Sequence, residues 1–430
     1  MKKIIILAIA TILLCSACRK EADFHPYMGE NSKLAYSTYT EQFDYIWRCI
    51  STGYVFWDVD NTDWEAVYTN YRPQFEALDK LYEFNGYVPT QKLEQLYTEM
   101  MGDMKDHHMA VCIRNMHPEP GDTIARFGVY PGEREIASRD YYYQHAYFEK
   151  FSILNFLNNI GNQYTVAAHE SCVAHVAEMN NAEVIYHYCL LVLPDGRKIP
   201  YLWQSMAAIT PMMRELGMPT EAGRAAALLD HWLKAITETP REELAGIILD
   251  NRCNRGGYQD DLDYLVGSFI NTQTEIFKTR YKEGPGRLEH SPWTSYYISP
   301  NPQYHRDLTA ENIPYVVLCD LNSVSMGEIE PITIKTVLPT SHTIGERTYG
   351  GTGPLQPATC INLHYGGPFG DASLTEGYHY IYTSSFETLI NGENLEGVGH
   401  TPDQIILRKN HNGDLKPQLD AAIEYITNYR

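Results

Sequence analysis

Tyr315-Val316-Val317-Leu318-Cys319-Asp320-Leu321-Asn322-Ser323-Val324-Ser325-Met326-Gly327-Glu328 is the stretch on which the fold of this chain turns. Tyr315 to Cys319 is a short β-branched and aromatic run behind Pro314, the pattern of a buried strand. Ser325 stands where that strand gives way to a helix-like segment, Ile329 to Leu338. A serine at such a junction has its hydroxyl lifted off the sheet edge. The backbone N–H groups that follow, from Met326 on, have no intrahelical acceptor. Those donors and the positive end of the helix favour an oxyanion. The same position suits an N-cap, the commonest task of a serine at a helix start. On this stretch alone both roles stay open.

Strand, turn and helix recur upstream. Ala245-Gly246-Ile247-Ile248-Leu249-Asp250 reads as a buried strand, Asn251 to Gly257 as its turn, and Leu262 to Ile270 as helix-like. A helix is expected before it from Thr220 to Ile236, with Ala225, Leu228, Leu229, Trp232 and Leu233 as its apolar stripe. This alternation predicts an α/β sheet with loops gathered at the carboxyl ends of its strands. Gly256-Gly257 lets backbone N–H groups approach a ligand, or simply closes a tight turn. It is not a phosphate-binding loop, because no following lysine completes that motif.

Toward the amino end, residues 37–105 read as a small helical bundle. Thr38-x-x-Glu41 and Thr62-x-x-Glu65 match capping boxes. Phe43, Ile46, Trp47 and Ile50 form one stripe, and Leu93, Leu96, Tyr97 and Met100 another on a helix from Gln91 to Met104. Asp106-His107-His108 ends the bundle just before a strand-like run, Met109 to Ile113, so the histidines sit where side chains project into a cleft. Adjacent residues on a strand face opposite ways, so one of the two at most serves a given site. Residues 106–210 are rich in short strands and turns and are expected to form a β-rich insert, with 211–430 as the α/β core.

The formal net charge of −20 and the lack of clustered Lys and Arg exclude a nucleic-acid partner. Hydrophobic residues at 44% allow a large core, and most of the 33 tyrosines fit amphipathic strand faces. Nine cysteines without regular spacing make no disulfide framework, and no metal or organic cofactor is indicated. Lys2 and Lys3, the apolar run Ile4 to Leu14, and Cys15-Ser16-Ala17-Cys18 mark residues 1–17 as an export signal, too short to span a bilayer. The small residues before Cys18 resemble the bacterial lipoprotein cleavage motif, with Cys15 where that motif usually has leucine. The resemblance implies a lipidated Cys18, a tether over 18–36 and a lipid-anchored, cell-envelope location facing the periplasm or outer membrane. An ordinary cleaved signal is the alternative.

Four motifs occur in order: Leu249-Asp250-x-Arg252-x-Asn254-x-Gly256-Gly257, Ser323-x-Ser325-x-x-Glu328, Gly345-Glu346-x-Thr348-x-Gly350-Gly351 and Glu396-Gly397-x-Gly399-x-x-Pro402-Asp403. With Asp106-x-His108 ahead of them, the chain resembles the serine peptidase family of the C-terminal processing and tricorn proteases. The resemblance implies a crotonase-like α/β core (the ClpP/crotonase fold), with Ser325 as nucleophile and an oxyanion hole of Met326 N–H with a Gly256 or Gly257 N–H. Processing proteases carry a lysine base where Gly351 stands here. Lys335 does not replace it, because ten helical residues place it about 15 Å from Ser325. The tricorn-like branch uses a histidine, which matches His108, and Glu396 is the carboxylate expected to orient it; a surface carboxylate in a polar loop is that residue's other reading.

The expected function is therefore a serine endopeptidase acting on peptide or protein substrates, with an extended peptide added to a strand edge. The rival is a catalytically inactive peptide- or glycan-binding lipoprotein on the same fold, favoured by the missing lysine and by His107. An esterase on this core differs only in its leaving group, and no G-x-S-x-G elbow is present.

Overall fold

The computed structural model describes residues 37–102, 104–123, 125–139, 146–355, 366–367, 369–370 and 378–429. The segment expected to be an export signal, Cys18 and the expected tether lie outside them. Three helices come first: α1 (Tyr39–Gly53), α2 (Trp64–Asn85) and α3 (Thr90–Met101). Thr38 caps α1 as predicted, accepting from Glu41 N–H. At α2 the cap is Asp63 instead of Thr62; its carboxylate accepts from Ala66 N–H, while Thr62 bonds Asp60. An anion at the positive helix end outcompetes a hydroxyl one residue away. The stripes of α1 and α3 bury into one core with Val111 and Ile113 of β1 (Ala110–Arg114) and Val129 of β2 (Arg126–Val129).

Two helices, α4 (Pro131–Arg139) and α5 (Ala146–Asn158), lead into antiparallel β3 (Val166–Val176), β4 (Ala182–Val192) and β5 (Lys198–Gln204). The crossover through α6 (Ile209–Met213) and α7 (Glu221–Thr237) sets β6 (Ile247–Asp250) parallel to β5. After α8 (Leu262–Leu265) and the hairpin of β7 (Thr274–Tyr281) and β8 (Thr294–Ile298), the parallel run continues. It takes in β9 (Tyr315–Cys319), α9 (Met326–Val337) and β10 (Ser341–Gly345). The last elements are β11 (Phe369–Gly370), β12 (His379–Tyr382), β13 (Phe386–Leu389), β14 (Gln404–Ile405) and α10 (Lys416–Asn428).

The central sheet has the order β14-β10-β9-β6-β5-β4-β3. Alternate residues face opposite sides. Ile247, Leu249, Tyr315 and Val317 pack toward α7 and α9, whereas Ile248, Val316 and Leu318 pack toward α5 and α10. A sheet covered on both faces needs strands apolar at every position, which is why Tyr315 to Cys319 is buried throughout. At the carboxyl end of β6 the buried Arg252 guanidinium bonds the Asp250 carboxylate, Leu415 O and Gln418 Oε1, tying the Asn251–Gly257 loop to α10.

This is a crotonase-like α/β core with a helical amino-terminal region. The segment boundaries differ from those expected. Residues 106–210 divide between two sheets and include α4 and α5, so they do not form a body of their own. β3 to β5 extend the central sheet, while β1 and β2 join a separate sheet of order β11-β12-β1-β2. Pairing partners more than 250 residues apart set this division (Cys112 opposite Tyr380, for example), and no local pattern encodes them. Among the described residues no helix is long and apolar enough to cross a membrane.

Candidate active site

Ser325 closes the turn from β9 into α9 with φ +57° and ψ −127°, a backbone conformation that costs a non-glycine residue about 1–3 kcal/mol. Hydrogen bonds hold it there. Ser325 N–H donates to Gly351 O (2.9 Å), Val324 N–H to Asn254 O (3.0 Å) and Ser323 Oγ to Asn251 O (2.7 Å). The Ser325 side chain makes no capping bond to α9. The cap reading therefore fails, and a partly exposed hydroxyl is left at the sheet edge.

The glycine turn after β6 approaches that hydroxyl closely. A Cβ on Gly256 would lie 2.5 Å from Ser325 Cβ and 3.0 Å from both Ser325 Oγ and Met326 N, so only glycine permits this approach. The two glycine amides, expected as alternatives, are not equivalent. Gly256 N–H is taken by Asn254 Oδ1 at 2.9 Å, a side chain two residues away that an Asx-type turn supplies. Gly257 N–H and Met326 N–H donate to no acceptor among the described residues. These two remain as the pair able to receive an oxyanion.

Glu328, fully buried on the first turn of α9, accepts from Thr348 Oγ1 (2.6 Å), Gly350 N–H (2.9 Å) and Gly351 N–H (2.7 Å). It fixes the loop that carries Gly351. A Cβ on Gly351 would lie 3.2 Å from His108 Cε1 and 3.3 Å from His108 Nδ1. The imidazole thus borders the space a side chain at 351 would enter. Glycine at 351 therefore leaves His108 room that a larger residue would narrow by a few tenths of an ångström. Lys335 is committed elsewhere, to Asp403 at 3.0 Å.

His108 N–H donates to Asp106 Oδ1 (2.9 Å), and its Nδ1 lies 3.5 Å from Ser384 Oγ. Ser384 Oγ donates to Asp106 Oδ1 (2.9 Å) and Ser384 N–H to Asp106 Oδ2 (2.7 Å). With its proton given to the carboxylate, the Ser384 oxygen can accept from Nδ1–H, which leaves the lone pair on Nε2. No hydrogen bond joins His108 to Ser325 among the described residues; both touch Gly351. Burial, with the charges of His107 and Arg255, lowers the imidazole to about 4, so it is neutral at pH 7. Burial raises Asp106 to about 6, and burial with the Asp106 charge pushes Glu396 well above the usual carboxylate range.

Glu396 does not contact the imidazole through a hydrogen bond, as the sequence reading expected. Its oxygens accept from His107 N–H (2.8 Å), Thr352 N–H (2.7 Å) and Gly353 N–H (2.7 Å), so it pins the 351–353 loop beside the histidine turn. Backbone donors that converge on the carboxylate outbid a ring that already faces Ser384. His107 turns away, with Nδ1 at 2.7 Å from Tyr349 O. Asp106, His108 and Glu396 place ligand atoms within 4.8 Å of one another, and hydrogen-bond donors reach every carboxylate oxygen of the group. Ser384 was missed by sequence reasoning. It lies in Thr383-Ser384-Ser385, far from His108 in the chain and without a local signal.

Residues 219–405 match the model of Peptidase family S41, and residues 36–86 match that of the Tricorn protease C1 domain. A candidate peptidase from Parabacteroides merdae superposes with a TM-score of 0.58 at 18% identity, over 91% of this chain and 97% of that one. Mature CPAF complexed with lactacystin does so with a TM-score of 0.53 at 10% identity, over 91% and 99%. At these identities the likeness is one of fold. No curated protein matches the chain.

Proposed function

We propose that this chain is a peptidase of family S41, whose model matches residues 219–405, and that it cleaves peptide bonds by acyl transfer at Ser325 with His108 as the base. The observation that carries the reading is the junction itself. A strained serine, its hydroxyl released from capping, sits next to the unpartnered Met326 amide and against Gly256, one residue before the unpartnered Gly257 amide, and its N–H bonds the Gly351 carbonyl of the residue that His108 approaches. Ser325 Oγ would attack the scissile carbonyl and pass its proton to His108 Nε2. Gly257 and Met326 N–H would take the oxyanion charge. The imidazolium would then protonate the leaving amine, and water would release the acyl group by the same path reversed. Asp106, reached through Ser384, and the nearby Glu396 carboxylate would stabilise the imidazolium while it exists. Endopeptidase action, a lipid on Cys18 and a cell-envelope location complete the proposal; the export segment and the cysteine after small residues support the last two.

The test is labelling of the signal-free protein by a fluorophosphonate probe, beside Ser325→Ala and His108→Ala. Labelling lost in both supports the pair. Labelling that survives without His108 points to another base. The missing Ser325–His108 hydrogen bond favours a second reading, a binding protein on the same fold, and no labelling of folded protein would decide for it. For the anchor, full-length protein should partition into detergent and Cys18→Ala into the aqueous phase.

A further inference from the structure

Arg255 immediately precedes the glycines that approach Ser325, and it is exposed. Its backbone is fixed: Arg255 N–H donates to Ser205 O (3.2 Å), and the flanking Asn254 O accepts from Val324 N–H (3.0 Å). Its guanidinium has no acceptor among the described residues, whereas Arg72, Arg252, Arg280, Arg287, Arg306 and Arg408 each reach a carboxylate. In a chain of net charge −20 acidic partners are plentiful, yet this arginine, one residue before the glycine that approaches Ser325, takes none among the described residues. Arginine presents a planar fork that matches a carboxylate, and an exposed one forfeits little by waiting for it.

We propose that Arg255 binds a carboxylate of the substrate and makes this site selective for acidic peptides, an inference that rests on the peptidase reading of Ser325. Reach defines the register. Consecutive Cα atoms are about 3.8 Å apart, so Arg255 Cα stands one such step from Gly256 Cα. An extended substrate advances about 3.3 Å per residue, which puts the recognised carboxylate within roughly three residues of the scissile bond. Two sources carry that chemistry, an Asp or Glu side chain and the free carboxyl terminus of the peptide. The charge of Arg255 also reaches His108; after burial and His107 it is the third influence that keeps the imidazole neutral. A bound carboxylate would offset that charge and make His108 a stronger base once an acidic substrate is in place.

The experiment compares short peptides that differ only in Glu against Gln at each position near the cleaved bond, each with a free or an amidated carboxyl terminus. Binding is read by calorimetry on the Ser325→Ala chain with and without Arg255→Gln, so the inference is tested even if no peptide is cleaved. Cleavage and fluorophosphonate labelling of the Ser325 chain test the peptidase reading separately. The acid-over-amide affinity ratio should be about tenfold and fall toward one in Arg255→Gln, with Arg255→Lys between them. It should also shrink as ionic strength rises. Loss of the Glu/Gln ratio assigns the side chain, and loss of the free/amidated ratio assigns the terminus. No acid preference, or one that Arg255→Gln retains, overturns the inference.

Discussion

Gly256→Ala is the most informative single change. The new Cβ would stand 2.5 Å from Ser325 Cβ and 3.0 Å from Met326 N. Carbon atoms pack at about 3.5–4.0 Å, so the two segments must part by roughly 1 Å. A misplacement of that size at a reacting atom costs about 100-fold in rate. The backbone adds its own penalty, because φ is +83° and alanine pays about 1–2 kcal/mol there. Gly392 separates the two effects. Its φ is +81° and nothing lies within 4 Å of a Cβ there, so Gly392→Ala carries the conformational cost alone. Fluorophosphonate labelling rates and thermal unfolding of both variants give the readout. Both should lose stability by about 1–2 kcal/mol from strain, Gly256→Ala by a further 1–3 from overlap, and only Gly256→Ala should label about 100-fold more slowly. Wild-type labelling of folded Gly256→Ala would refute the packing argument.

Ser384→Ala removes the hydroxyl between His108 and Asp106. We expect kcat to fall about 10- to 100-fold, the worth of a hydrogen bond to a charged group, and the pH profile to shift, which loss of packing alone would not produce. For pH itself, protonated imidazole cannot accept a proton, and His108 is lowered to about 4 while Asp106 is raised to about 6. The acid limb of kcat/KM should therefore lie between about 4 and 6; a limb at or above the ordinary histidine value of about 6.5 would contradict a ring that is uncharged at neutral pH. Glu328→Gln replaces an acceptor of three donors with a group that donates on one side, facing Gly350 and Gly351 N–H. Labelling should slow by at least tenfold and unfolding shift down by about 1–3 kcal/mol. Arg252→Ala leaves Asp250 charged and buried, and a loss of about 3–5 kcal/mol is expected in denaturant unfolding.

Much of the molecule follows from local pattern. The Tyr315–Cys319 strand, the turn at Ser325 and the stripes of α1, α3 and α7 are set by apolar period and by what a backbone does at a helix start. For the same reason the backbone geometry at Ser325, Met326 and the glycine pair is legible, since it depends on the conformation of a few adjacent residues. Tertiary structure decided the rest. It closed the Gly256 amide with Asn254 Oδ1 and left the Gly257 amide open, and it turned Glu396 from the imidazole to the loop amides. It brought in Ser384, and it let β12 cross back to β1 and divide the expected insert. Each of those outcomes is a competition among donors and acceptors that meet only when distant segments pack. Sequence lists the competitors, and only the folded geometry settles which of them touch.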